Sequence, residues 1–321
     1  MSFQFPRREF LVGMVAMTTA KAASRFTPPP GVSSPFRISV INDEISQDFS
    51  RACEVASREF GMGWVELRGM WNKNIVKLDE KEVAEARSIL QKFQLKVTDI
   101  ASPLFKVDWP GAPKSKFSEA KSFGADFTLA QQDEVLERAM DLAKAFQTDR
   151  VRCFDFWRLE DQSPYRAAIN DKLRDATAKA AKKGIILVLE NESACNTATA
   201  AESARVLSAV QSPSFMLNWD PGNAAAAGDT PYPDGYNLLP KDRIGHCHCK
   251  DFVKTKAGKG DWAPMGGGVI DWAGQFKALK RDGYRFAVSL ETHWNGGGTP
   301  EECSRKSWAG MKTLLQQADA L

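Results

Sequence analysis

Glu190, Asp220, His248 and Glu291 are the residues of this 321-residue chain whose types and spacing best suit chemistry. Each ends a short apolar, β-rich run: Leu189-Glu190-Asn191-Glu192, Asn218-Trp219-Asp220-Pro221-Gly222-Asn223, His246-Cys247-His248-Cys249-Lys250-Asp251 and Leu290-Glu291-Thr292-His293-Trp294. The intervals between them are 30, 28 and 43 residues, each about one strand-helix unit. Three carboxylates and an imidazole crowded together without a cation would raise several carboxylate pKa values by repulsion and desolvation. A divalent metal ion removes that penalty. An oxygen-rich set with one nitrogen favours Mn2+, Mg2+ or Co2+, with Zn2+ possible. Taken singly, each acid could instead cap the following helix or pair with a lysine. For all four in step, that explanation is much weaker.

Side chains alternate across a strand, so His246, His248 and Lys250 share one face while Cys247 and Cys249 share the other. The polar set is expected to point inward and the cysteines to pack outward against helices. By the same parity Ser289, Glu291 and His293 align, as do Asn218 and Asp220. All three histidines of the chain fall at these two strand ends. The six cysteines, Cys53, Cys153, Cys195, Cys247, Cys249 and Cys303, contain no C-x-x-C pair, which indicates core thiols and neither a disulfide framework nor a zinc ribbon.

The elements that must position these residues read as eight strands at 37–41, 64–67, 96–100, 150–154, 184–189, 215–219, 243–249 and 286–290. Between them lie helix-like stretches at 80–93, 133–146, 164–183, 200–210, 272–281 and 300–317, with apolar residues three and four apart. Eight alternating pairs predict a single (β/α)8 barrel, an α/β fold whose C-terminal strand ends form the active-site mouth. The alternative, a doubly wound open sheet, would often carry a Gly-rich phosphate loop, and no G-x-G-x-x-G or Walker pattern occurs.

The first 22 residues, with Arg7-Arg8, Phe10-Leu11 and a short apolar stretch before Ala20 and Ala22, resemble a twin-arginine export signal, although Pro6 and Val12 depart from its usual pattern. Residues 23–35, including Pro28-Pro29-Pro30-Gly31, read as a stiff linker, so the barrel is expected over 36–321. Export would make the protein periplasmic or secreted, with no stable membrane partner beyond the export machinery. Losing residues 1–22 removes Arg7, Arg8, Lys21 and Glu9, lowering the formal charge from +3 to +1. So neutral a chain argues against a nucleic-acid partner and for a small-molecule substrate.

The segments Leu189-Glu190-Asn191, Asp220-Pro221-Gly222-Asn223, His248-Cys249-Lys250-Asp251, Ser289-Leu290-Glu291 and the loop Pro264-Met265-Gly266-Gly267-Gly268-Val269-Ile270-Asp271 together resemble the xylose-isomerase-like barrel superfamily. That resemblance implies that Glu190, Asp220, His248 and Glu291 bind the metal. It also implies that Glu190 and Glu291 act as acid and base on a sugar-like hydroxycarbonyl substrate through an enediolate. Asn223, His246, Lys250, Glu66 and His293 are the candidate substrate contacts. Arg68 and Asp99 share with Glu66 the alternative of an ion pair below the mouth, and Trp109, Trp157, Trp262 and Trp294 could stack on a sugar or pack under loops. The superfamily's ketohexose epimerases usually carry a histidine at the position of Asn223 and a glutamate at that of Asn196, which speaks against a plain ketohexose 3-epimerase.

The leading expectation is therefore an isomerase or epimerase. A lyase that deglycosylates keto-glycosides by β-elimination and a non-catalytic sugar-binding barrel are the alternatives. An abasic-site endonuclease would need a multi-zinc cluster and a basic surface, and three histidines with little net charge do not supply them.

Overall fold

Apolar runs bounded by glycine and polar turns fold into eight short strands: β1 Arg37–Val40, β2 Trp64–Leu67, β3 Lys96–Leu104, β4 Arg150–Cys153, β5 Ile186–Glu190, β6 Phe215–Trp219, β7 Ile244–Cys249 and β8 Ala287–Leu290. The computed structural model describes residues 34–118, 126–254 and 260–321, so the signal-like segment 1–22 and residues 23–33 of the linker lie outside the described residues. All eight strands fall where the sequence places them. Only β3 differs materially, running on to Leu104 through a register shift against β4.

The sheet order is β1-β8-β7-β6-β5-β4-β3-β2, every neighbouring pair parallel. A parallel bridge between Ile41 and Glu66 joins the two ends and closes the (β/α)8 barrel. Helices occupy the connections: α1 Phe49–Glu54, α2 Glu80–Lys92, α3 Gln132–Ala145, α4 Arg166–Lys182, α5 Ala200–Ala209, α6 Pro221–Ala226, α7 Trp272–Arg281 and α8 Pro300–Gln317. Capping boxes start three of them, Asp79 with Glu82, Thr199 with Glu202 and Thr299 with Glu302, each satisfying two otherwise orphaned backbone donors. None of the described helices is long and apolar enough to cross a membrane.

The outward faces of the strands carry the core. Val40, Leu67, Cys247, Cys249 and Leu290 belong to one apolar cluster with Phe49, Leu173, Phe276 and Met311 of the surrounding helices. All six cysteines are buried and free. The barrel axis is different: Ser39, Glu66, Asp99, Arg152, Asn218, His246, His248 and Ser289 are all buried. Barrels normally fill that space with branched aliphatic side chains. A polar axis is costly unless its groups find partners or ions.

Candidate metal centre and active site

Parallel strands in register bring the late strand ends to one level. Glu190 on β5 stands opposite Asn218 on β6, and His248 on β7 opposite Ser289 on β8. Glu190, Asp220, His248 and Glu291 are all buried, and each offers a ligand atom within 4.8 Å of the other three. The Nδ1 of His248 lies 3.3 Å from Glu291 Oε2, 3.4 Å from Glu190 Oε1 and 3.6 Å from Asp220 Oδ2. That nitrogen is buried without a hydrogen-bond partner, so its lone pair points at a space that three carboxylates share. The donor set therefore fits a divalent ion.

The opposite nitrogen of the ring is anchored. His248 Nε2 is 2.9 Å from Glu66 Oε1 and 3.0 Å from the Asn218 amide. A ring that gives Nδ1 to a metal carries its proton on Nε2, and Glu66 is placed to accept it, which fixes both tautomer and orientation. Burial would push the Glu66 carboxyl up, but the charges of His248 and His246 and the bond to His248 bring it down to about 2. Burial likewise disfavours the His248 imidazolium. The surrounding Glu66, Glu190 and Glu291 outweigh that and hold the group well above its ordinary value.

Every remaining oxygen of the cluster is oriented. Asp220 caps α6, its Oδ1 accepting from Asn223 N at 2.8 Å, which leaves Oδ2 for the cluster. Capping and converging are both true of this residue. Asn223 Nδ2 donates to Glu190 Oε1, Asp220 Oδ2 and the Asn191 carbonyl at 3.2, 3.1 and 2.9 Å. Arg152 on β4 donates to Glu190 Oε2 at 3.0 Å, and Arg68 and His293 reach Glu291 Oε1 at 3.2 Å each. Lys250 Nζ sits 2.9 Å from Asp220 Oδ2 and 2.5 Å from Glu291 Oε2. Burial works against its charge, yet Asp220 and Glu291 hold its pKa above the ordinary lysine value. The ionised forms of Glu190 and Glu291 also prevail against burial. His248 and Arg152 favour the first, His293, Lys250 and His248 the second.

Above the cluster opens a cavity of about 640 Å³ whose wall includes Glu190, Glu291, Asn223, Lys250 and His293. Glu66 and His246 do not line it. Both are fully buried beneath the cavity, so the expectation that they touch substrate is replaced by a place under the mouth. Burial pushes the His246 imidazole down to about 3, keeping it neutral. Asp99 is buried at the same depth. Of the four loop tryptophans, Trp157 and Trp262 stand in the cavity wall. Trp109 packs edge-on against Phe156, and Trp294 lies under Lys306.

Arg152 and the pair Lys106–Glu192, joined at 2.7 Å, also line the cavity and were not among the sequence candidates. The alternation Arg150, Arg152 inside an apolar strand was the available signal, because arginine is rarely buried without a partner. The two departures from the epimerase pattern have structural explanations. Asn223 orients two of the cluster carboxylates, and Asn196 clamps the loop after β4 through the carbonyls of Asp155 and Trp157 at 2.9 and 3.2 Å. The glycine loop wraps Asp251, whose Oδ2 accepts from Gly266 N and Gly268 N at 3.0 Å each. A Cβ on Gly268 would fall 2.0 Å from Asp251 Oδ1, so glycine there permits close approach.

A closed parallel barrel with an acid and imidazole cluster at the C-terminal mouth defines a class of small-molecule (β/α)8 proteins. Within it, this chain belongs to the Xylose isomerase-like TIM barrel family, whose model matches residues 55–314. Solved structures of the same fold include the zinc-bound IolI protein, at 16% identity and TM-score 0.70, covering 89% of this chain and 99% of that one. The probable 3-DHS dehydratase AsbF of Bacillus anthracis is similar at 19% identity and TM-score 0.65, covering 87% and 98%. The D-allulose 3-epimerase of Methylomonas sp., in complex with D-allulose, is similar at 17% identity and TM-score 0.63, covering 89% and 99%. No curated protein matches the chain in sequence.

Proposed function

We propose that this protein is an exported, divalent-metal-dependent isomerase or epimerase that moves a proton beside the carbonyl of a sugar-like substrate. The observation that carries the proposal is the convergence of Glu190, Asp220, His248 and Glu291 around one buried point at the floor of an open cavity. When bound there, a divalent ion would polarise a substrate carbonyl and its neighbouring hydroxyl, a Lewis-acid contribution of several kcal/mol. The oxygen-rich donors suit Mn2+, Mg2+ or Co2+, with Zn2+ also accommodated. The family's solved structures include one with zinc and one, from Mycobacterium smegmatis, in complex with magnesium.

The chain's own groups supply the proton chemistry. Glu190 and Glu291 reach the cavity from strands β5 and β8 as ionised carboxylates, each free to take a proton from carbon. Arg152 and Arg68 hold one oxygen of each in place, so the other is presented at fixed geometry. Lys250 Nζ, between Asp220 and Glu291, is placed to offer a proton to an oxygen that gains charge. Trp157 and Trp262 give the cavity apolar walls against which a sugar face can rest.

Metal analysis of the purified protein, with Glu190→Gln and Glu291→Gln assayed on a panel of ketoses and keto-glycosides, tests this reading. Both variants are expected to fold and lose turnover, and two fully active variants would overturn it. The cavity extends beyond the cluster to Trp157 and Ala194, which leaves room for an aglycone and favours a β-eliminating lyase as the second reading. Release of aglycone from a keto-glycoside without any epimer would select the lyase. Replacing Arg7-Arg8 by Lys-Lys in a reporter fusion tests export, since the proposal requires translocation to stop.

A further inference from the structure

Beneath the mouth, six side-chain atoms are buried with no hydrogen-bond partner: Ser39 Oγ, Glu66 Oε2, both carboxylate oxygens of Asp99, His246 Nε2 and Ser289 Oγ. They come from β8, β1, β2, β3 and β7, the arc of the barrel opposite Glu190. Ser39 and Ser289 face each other in the β1/β8 register, one layer with His248. His246 Nε2 and Glu66 Oε2 are 3.6 Å apart, and neither has a shorter polar contact. Glu66, Asp99 and His246 are each 0% exposed. Leaving so many polar atoms orphaned in one place would be expensive, since each costs about 1–3 kcal/mol, and more where it is charged.

The charges divide the interior into two zones. Around the mouth, Asp43, Glu44, Glu190, Asp220 and Glu291 are bonded by three fixed cations, Arg68, Arg152 and Lys250, an excess of two negative charges. One divalent ion at the proposed centre balances them. Glu66 and Asp99 have no lysine or arginine at ion-pair distance among the described residues, which leaves two further negative charges below. Buried charges of that kind are kept only when paired or bound to metal.

We infer that the barrel interior holds a second divalent transition-metal ion, bound by Glu66 Oε2, Asp99 and His246 Nε2, with the Ser39 and Ser289 hydroxyls beside it. This second ion rests on the outer centre holding one ion, as proposed above. The two would be separated by the His248 ring, whose Nδ1 faces outward and whose Nε2 faces Glu66. Two carboxylates, one imidazole and room for a hydroxyl or water suit zinc or manganese. The inner ion is sealed from substrate, so its role is to fix Glu66, and through it the His248 ring.

The test is zinc stoichiometry of the full chain by elemental analysis, with anomalous scattering at the zinc edge to locate each ion. Wild-type protein is expected to hold two zinc ions per chain, one peak among Glu190, Asp220, His248 and Glu291 and one among Glu66, Asp99 and His246. Asp99→Asn and His246→Gln are expected to lose one zinc and keep the outer peak, and melting curves confirm that they fold. One zinc at the outer peak alone in the wild type, with protons neutralising the inner carboxylates instead, would overturn the inference without touching the proposed function. An inner peak with no outer peak would instead refute the proposed centre. Because the wild-type map is decisive by itself, variants that fail to fold do not blur the result.

Discussion

Replacing Lys250 by Met removes a buried ammonium that lies 2.9 Å from Asp220 and 2.5 Å from Glu291 while keeping much of the stem that packs beside Trp262. Lys250 is 1% exposed, so in the metal-free protein the change strands two carboxylates beside an apolar tip. Breaking a buried ion pair in this way costs about 3–5 kcal/mol. At roughly 2–4 °C per kcal/mol for a chain of this size, the metal-free melting temperature should fall by about 6–20 °C. With a divalent ion at the centre, Asp220 and Glu291 keep a cationic partner, and only about 1 kcal/mol of lost hydrogen bonding remains, a fall of roughly 2–4 °C. Removing a neighbouring positive charge should also tighten metal binding. The assay is a four-way comparison of calorimetric melting, wild type and Lys250→Met, each in chelator and in excess manganese. An equal loss of melting temperature with and without manganese would refute the reasoning, because it would mean that lysine and metal do not share the same carboxylates.

Two further outcomes follow from the same geometry. A Cβ on Gly222 would lie 2.5 Å from Lys250 Cγ and 3.2 Å from Asp220 Oδ1, so Gly222→Ala should destabilise by about 1–3 kcal/mol and weaken metal retention in a chelator competition, whereas unchanged retention would show that α6 can yield. Glu202 caps α5 and bonds Arg158 at 2.8 Å. Burial alone would raise its carboxyl, but Arg158 and the capping N–H groups bring it below the usual value. A depressed acid stabilises the fold above its unfolded pKa of about 4.3 and loses that contribution as pH falls through the folded value. Melting temperatures between pH 6 and pH 3, a range set by that unfolded value, should therefore fall more steeply in the wild type than in Glu202→Gln, and parallel slopes would remove the assignment.

Much of this molecule was legible in advance because parallel strands buried on both faces must be apolar, and polarity at their ends then stands out. Leu189-Glu190 and Leu290-Glu291 show that contrast directly. Strand parity correctly separated His246 and His248 from Cys247 and Cys249. Parity says which face a residue occupies but not how high it sits along the axis, and this is why Glu66 and His246 were expected in the cavity wall. Height depends on the stagger between strands, fixed here by the Ile41–Glu66 bridge and the Asn218–His246 register. Arg152 went unnoticed for a related reason. A charged residue in an apolar strand announces a partner without saying which one, and Glu190 lies 38 residues away. Asn223 and Asn196 looked like gaps in a substrate shell until their hydrogen bonds showed them orienting ligands and a loop.

The polar barrel axis carries a consequence for engineering. Most proteins of this architecture can be toughened by filling the middle with larger aliphatic groups, because support and reactivity occupy separate layers. In this chain they overlap: Glu66 both lines the axis and aligns the imidazole above it. Substituting hydrocarbon for acids along that column could raise the melting point while silencing the mouth. Durable variants would have to be sought among the outer helices, where side chains can change without altering the electric field at the strand ends.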